Sequence, residues 1–538
     1  MRRIGGAVAC LLLCSHCTNE GCPTGFIPTS TMCVPVSDAG TDAPASDAAT
    51  SDTPTFDVPP DATRCGARLE CMGSCVDQAT DRENCGACGV RCGFLEECTA
   101  GSCNQPVALL QGPARDTITA IASAASVHCI AGNTEGASTW RRDTREVSLT
   151  SPPASALVEC AGADGTPTTT IRSSLTSTPP SGDEGIRDLA VTSDAVYVAG
   201  AGRGFFQIAD NVQINEADGL DGFVARVNLD GSVDRVTTLR GSGDSAVETV
   251  ATNETGTTVC YGGWYEPGTI LEGVSAIPAD GRDAFVTCTR TPNTFTHYFG
   301  AAGADAVTGI VVGTNYVYVV GTLSGTVAEI SGETLPYLTA GVGGGSDAFL
   351  LRISLMNGQP DFGIVWGSAG DDAATDIAVD AAHIAITGHC AGPISLGALT
   401  GCGANQDGFL IVLDAATPTP TPLSGQLVAS PFADSLESVA LGAELFVTGY
   451  ISGAASIETL RIAHAGPDGT RDVLVARAMT NGRPLEAFSW GAANDESGTA
   501  IDVAMGVVRV GGQFVGEARI AGTPFMSLGN TDGFLVQR

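Results

Sequence analysis

Two kinds of side chain in this 538-residue chain could do chemistry: cysteines, and carboxylates set beside glycine. Of the 19 cysteines, eight crowd into one stretch: Cys65, Cys71, Cys75, Cys85, Cys88, Cys92, Cys98 and Cys103. Cys85-x-x-Cys88 has the spacing of a zinc-ligand pair or of a redox-active pair. A zinc ribbon needs a second such pair at a matching distance, and a redox site needs a βαβ pattern around it. Neither follows here, so four disulfides are expected, with roughly 105 connectivities open to eight cysteines. Disulfide frameworks persist outside the reducing cytosol, which makes this an exported chain. Six more cysteines fall inside a repeat. Cys129 and Cys260 occupy one equivalent point and Cys160 and Cys288 another, while Cys390 and Cys402 flank one hairpin. All six are expected to be bonded and structural.

The carboxylates recur in turns: Gly243-Asp244, Gly303-Ala304-Asp305, Gly370-Asp371-Asp372 and Asn494-Asp495-Glu496. Hard oxygens of this kind can hold calcium. A catalytic group, however, is needed once, and these acids return in nearly every unit. The expected role is therefore that of turn formers bonding backbone N–H groups, with Asp244, Asp305, Asp371, Asp372 and Asp495 as weak calcium candidates. The chain contains no G-x-S-x-G, no H-E-x-x-H and no complete phosphate-binding glycine loop. His383 and His389 flank one strand and do not form a metal-protease pair. Two carboxylates meeting across units for glycoside cleavage remain open, with no pair singled out.

The elements that position these groups come from a long repeat. A glycine closes an apolar strand at Gly132, Gly200, Gly263, Gly321, Gly388, Gly449 and Gly511, at intervals from 58 (Gly263 to Gly321) to 68 (Gly132 to Gly200). Periods of this size belong to propellers and solenoids. Each unit reads as four strands; in the fourth these are Ile310–Val312, Tyr316–Val320, Ala348–Ile353 and Phe362–Trp366. An Asp opens the third strand at Asp221, Asp283, Asp347, Asp407, Asp472 and Asp532. The last unit stops after its third strand, while Pro106–Gly112 looks like a fourth strand without a unit. The expected fold is all-β: residues 104–538 form a seven-bladed β-propeller closed by an N-terminal strand, preceded by a small disulfide-rich module at 65–103. A closed ring leaves no long open edge.

These strands, D-x-x-x-x-I-A-V, V-Y-V-x-G and D-(G/A)-F-(V/L), resemble the bacterial seven-bladed β-propeller repeat family of surface proteins, best around Asp305–Ile353 and Asp371–Leu413. Asn84–Cys92 with Cys98–Cys103 resembles the cysteine-rich repeat of the stigma-specific protein family. Met1-Arg2-Arg3 followed by Ile4–Leu13 reads as a signal peptide, too short to span a bilayer. Its end, Leu11–Cys17, resembles a bacterial lipoprotein signal. Removing Cys10 and Cys14 with the signal and Cys17 as the lipid carrier leaves 19 − 3 = 16 cysteines, an even number; Cys14 is the alternative acceptor. Residues 18–64 hold a small loop between Cys22 and Cys33, then an Asp/Ala/Pro-rich stretch that cannot bury enough apolar area to order itself and serves as a spacer.

A formal net charge of −33 argues against a nucleic-acid partner. All 26 basic residues are Arg, as a GC-rich genome would produce. Variable segments between second and third strands are expected on one face of the ring, where recognition usually lives, with Phe205, Phe206, Trp264, Tyr265, Tyr337 and Phe525 as apolar contacts. These observations lead to an exported, lipid-anchored cell-surface or outer-membrane protein, or a secreted or periplasmic one if no lipid is attached, whose propeller binds protein or glycan partners without catalysis. The alternatives are an extracellular hydrolase or lyase working in the propeller channel, and a passive envelope structural protein. No cofactor is implied beyond calcium.

Overall fold

A computed structural model describes residues 68–538 apart from short internal gaps, together with the strands Phe26–Pro28 and Cys33–Pro35. The signal segment with Cys14 and Cys17, Cys22, and the Asp/Ala/Pro-rich stretch lie outside the described residues. The chain divides into two compact units, Met1–Thr63 and Arg64–Arg538. In the first, Phe26–Pro28 pairs antiparallel with Cys33–Pro35.

The second unit is an all-β, seven-bladed propeller preceded by the cysteine-rich module. Blade 4 is representative: Ala306–Val312, Tyr316–Ser324, Ser346–Ser354 and Pro360–Trp366 pair antiparallel in that order. Blades 5 and 6 repeat this four-stranded order. Second and third strands are covered on both faces by neighbouring blades, so they read as unbroken apolar runs. Ala348, Phe349, Leu350 and Leu351 are all fully buried. Blade 7 has Glu496–Ala504, Val507–Phe514 and Asp532–Gln537, and beyond them lies Val107–Gln111, with Phe534 opposite Leu109 and Val536 opposite Val107. That sheet continues outward through a hairpin from blade 1, Ser138–Arg142 and Arg145–Leu149, which buries Trp140 completely.

The periodic glycine has a geometric cause. The first strand of each blade carries a β-bulge at one register point, for example between Val307 and Gly309 or Ala374 and Asp376. The bulge pushes a first-strand carbonyl against the second strand. A Cβ at Gly321 would stand 2.0 Å from Ala306 O, and one at Gly388 2.0 Å from Ala373 O. The register corrects one assignment. In blade 7 the equivalent residue is Gly512, opposite Gly498, and not Gly511, because two glycines stand in succession there.

The turn joining third and fourth strands of one blade docks on the blade before it. Thr169 of blade 1 donates to Leu229 O of blade 2. Arg352 of blade 4 donates to Pro418 O of blade 5 at 2.6 Å, and Ser424 of blade 5 to Asn481 O of blade 6 at 2.6 Å. Blade 7 takes its fourth strand from residues 107–111, so it has no such turn. The cysteine module fills the position. Phe94 packs on Phe446 and Phe488 of blade 6, with ring centroids 5.6 and 5.2 Å apart, and the Arg477 guanidinium lies 5.5 Å from its ring centre. Leu95 is wholly buried in the same cluster. Arg538 donates to Glu96 O, and Gln105 Nε2 donates to Gln537 O at 2.8 Å. The module is therefore part of the ring's packing. Leu95→Ala should lower the stability of the ring by about 2–4 kcal/mol, the usual cost of truncating a buried Leu, whereas the exposed Val90→Ala should be near neutral. Denaturant midpoints check this, and an unchanged midpoint for Leu95→Ala would contradict the docking.

Candidate functional site

The recurring acids occupy two positions at the blade boundaries, the first in five blades and the second in three. One is the fully buried acid that begins a first strand: Asp116, Asp305, Asp372, Asp434 or Glu496. Its backbone N–H donates to the preceding blade, as Asp372 N does to Ser346 O at 2.7 Å and Glu496 N to Arg471 O at 2.8 Å. Its carboxylate turns back and caps N–H groups of its own blade. Asp372 accepts from Ser368 N and from Ala391 N at 2.9 Å, and Asp434 from Ser452 N at 2.9 Å. Asp305 accepts from Ser324 N. The other position is the residue just before it. Asp244, Asp371 and Asp495 reach the preceding blade at Leu220 N (2.9 Å), Ser346 N (3.2 Å) and Arg471 N (3.0 Å). The five calcium candidates thus all spend carboxylate oxygens on backbone N–H donors.

At Gly300 and Gly491 the Asp that opens a third strand faces the buried acid of the next blade across a glycine. A Cβ on Gly491 would lie 2.1 Å from Asp472 Oδ1 and 2.8 Å from Glu496 Oε2. Burial, and then the neighbouring Asp472 and Asp495 charges, push Glu496 up to about 8. Burial and Asp532 push Asp116 up to about 7, against the hydrogen bond from Ser138. Burial and Asp372 push Asp347 up to about 6. Two desolvated carboxylates this close cannot both ionise cheaply, so one of each pair holds its proton more tightly than a free carboxyl does.

The axial channel, a cavity of about 430 Å³, is lined by first strands. The bulged residues are Thr in four blades, and three of these clasp the next blade: Thr308 Oγ1 to Ala374 O (2.7 Å), Thr375 Oγ1 to Leu436 O (2.6 Å) and Thr499 Oγ1 to Ile118 O (2.5 Å). Five acids line this channel, Asp188, Glu248, Asp376, Glu437 and Asp502, and Asp188 and Asp376 stand at the same register point just past the bulge. Asp188 accepts from Val250 N (2.8 Å), Thr249 Oγ1 (3.0 Å) and Leu189 N (2.7 Å). Asp376 accepts from Val439 N (2.9 Å), Ser438 Oγ (2.8 Å) and Ile377 N (2.7 Å). Burial raises them to about 7 and about 6, less the effect of those hydrogen bonds. Such values suit proton transfer, but every oxygen already accepts from the protein. Among the described lining residues there is no histidine or cysteine.

Cys129 stands directly opposite Cys160, and Cys260 opposite Cys288, and each pair is bonded. Cys390 is bonded to Cys402. With loops of 31 and 28 residues, the first two bridges each restrict the unfolded chain by about 3–4 kcal/mol on the chain-entropy model. In the module, Cys71–Cys88, Cys85–Cys98 and Cys92–Cys103 are bonded, so the two sulfurs of the C-x-x-C pair belong to different bridges. Cys85, Cys92 and Cys103 gather their sulfurs, but as disulfides they offer no thiolate to a metal.

The aromatic contacts expected on the ring's face need correction. Trp264 and Tyr265 belong to the second strand of blade 3 and are buried. Trp264 Nε1 donates to Glu248 at 2.9 Å, and Arg282 lies 3.6 Å over its ring. Phe525 packs against Phe514. Phe205, Phe206 and Tyr337 lie in strands whose side chains are outside the described set. The six aromatics were read as surface because they follow a strand-closing glycine, yet in blade 3 the strand runs on past Gly263 to Tyr265.

The carboxyl pairs make stability depend on pH. Glu496 moves from 4.5 to about 8 on folding, so the native state holds its proton more tightly. The stabilisation from this protonation is complete below about pH 4.5 and fades as pH rises through 8. Melting temperature should therefore fall between pH 5 and pH 8, and Glu496→Gln should flatten that slope. An unaltered slope in the variant would refute the raised proton affinity of Glu496.

Residues 59–108 match the Stigma-specific STIG1-like protein family, which places a Stig1-like cysteine-rich module ahead of the ring. No curated protein matches the chain. Among solved structures, the chain is similar to Pyrococcus horikoshii acylaminoacyl peptidase at 9% identity and a TM-score of 0.28, over 63% of this chain and 51% of that one. It is similar to phage phi92 endosialidase at 10% identity and a TM-score of 0.34, over 80% and 69%. It is similar to the WD40 β-propeller domain of Doa1 at 10% identity and a TM-score of 0.26, over 66% and 93%. The chain thus spans about half the length of the peptidase it resembles, and none of these scores carries an inference about activity.

Proposed function

We propose that this chain is an exported, lipid-anchored surface protein whose propeller is a non-catalytic scaffold for protein or glycan partners. The observation that supports it most is the covalent framework. Among the described residues three bridges staple the module and three more lie within or beside the blades, an arrangement suited to an oxidising, extracellular setting. The wedge made by Phe94 and Leu95 fixes that module to the ring, so the whole presents one stiff surface. Among the described residues no helix is long and apolar enough to cross a membrane, and attachment is assigned to a lipid on Cys17. Several acyl chains, as bacterial lipoproteins carry, would anchor it firmly where one would not. Calcium has no part in this reading.

A second reading, a hydrolase or lyase in the channel, draws on the near-neutral carboxyls of Asp188 and Asp376. Against it stands the saturation of both groups by donors from the next blade. An array of glycans and envelope proteins probed with the mature chain separates the readings. Saturable binding that survives Asp188→Asn supports the scaffold, and turnover of a bound glycan that this variant abolishes would replace it. For the anchor, globomycin treatment should leave the uncleaved precursor in the membrane; normal processing with the drug present would remove the lipid from the proposal.

A further inference from the structure

One blade boundary differs from its neighbours. Between blades 2 and 3 lies a cavity of about 770 Å³, within the roughly 300–1,000 Å³ range of small-ligand sites.

The lining is unusual for this protein. Acids outnumber bases by 59 to 26 in the chain, yet the cleft is walled by Arg226, Arg235 and Arg290 with Asp234 as its one acid. Arg226 is neutralised and held in place by Asp194 and Asp234 at 2.9 Å each, and by Asn228 at 2.7 Å. Arg290 is steadied through one nitrogen only, Nη1 to Leu355 O at 2.7 Å. Neither Arg290 nor the exposed Arg235 has a carboxylate partner among the described residues. Leaving two guanidinium groups unpaired on a strongly acidic protein gives the cleft a local positive field. The guanidinium fork matches a carboxylate in two parallel hydrogen bonds. Around them stand the hydroxyl-bearing residues Thr237, Thr257, Thr289 and Thr294, and the walls beneath are the largely buried Tyr197 and Tyr261.

We propose that the cleft between blades 2 and 3 is a binding site for a carboxylate-bearing oligosaccharide, with Arg235 and Arg290 taking the carboxylate and the threonine hydroxyls the sugar hydroxyls. This deepens the scaffold reading and rests on it. The test is calorimetric titration of the mature chain with a tri-uronate, with the neutral trisaccharide of the same linkage, and with tri-glutamate. The uronate should bind saturably, and the neutral sugar and the peptide at least tenfold more weakly. Arg235→Ala/Arg290→Ala should lose at least tenfold in uronate affinity while its near-ultraviolet circular dichroism stays that of the parent. Arg226→Ala serves as a second variant that should also weaken binding. Equal binding of tri-glutamate would overturn the saccharide class. No uronate binding, or binding unchanged in the double variant, would overturn the site. If the double variant keeps every hit of the parent on the glycan and protein array, the cleft assignment falls while the scaffold reading stands.

Discussion

The ring depends on a costly placement: a carboxylate taken wholly out of water at nearly every blade boundary. The cost is offset because each such acid bonds in two directions at once. Its backbone N–H holds the previous blade and its side chain caps its own. Removing the carboxylate would leave buried N–H groups of its own blade unsatisfied, which is why the acid returns in five of the blades and why a shorter or apolar substitute would fail. The bulge that follows it on the same strand then forces the glycine on the neighbouring strand. Acid, bulge and glycine are one device, and the repeat in the sequence is its imprint.

Packing between blades is finished by a second device, the turn that docks one blade on the preceding one. The Stig1-like module belongs to this scheme. Its Phe94 and Leu95 stand where a turn of blade 7 would be, so a domain that looks like an appendage acts as a wedge. Asp188 and Asp376 fit the same logic on the inner rim. They resemble catalytic acids in their proton affinity but behave as clasps in their bonding. The surface proposed for binding lies instead at the cleft between blades 2 and 3.

Much of this was legible beforehand because backbone geometry wrote it. Only glycine fits opposite the bulge, and only an acid caps two N–H groups there, so both recur at readable intervals. The opposed cysteines were legible for the same reason, since strand register fixes which residues meet. The one-residue error at Gly511 arose where two adjacent glycines gave the pattern two places to sit. Other features left no periodic trace. Phe94 and Leu95 look like the module's own small core, because an apolar pair carries no mark of what will cover it. Trp264 and Tyr265 looked exposed because strand length is set by pairing with Asp283–Arg290, which local sequence does not record. The cleft was invisible because its arginines are distinguished only by the carboxylate partners they lack among the described residues.

The ladder between Val107–Gln111 and Asp532–Gln537 joins segments more than four hundred residues apart in the chain, and this orders events in time. Contacts of such separation form late, after the loop-closure entropy has been met. During synthesis and export the earlier strand emerges first and waits longest, an unpaired apolar edge through the making of six blades. The Cys129–Cys160 bridge can oxidise long before that wait ends, since its partners are 31 residues apart. A nascent chain would thus pass through a covalently secured but open crescent, and the compartment that receives it must keep that crescent from pairing with its neighbours until the final strand arrives.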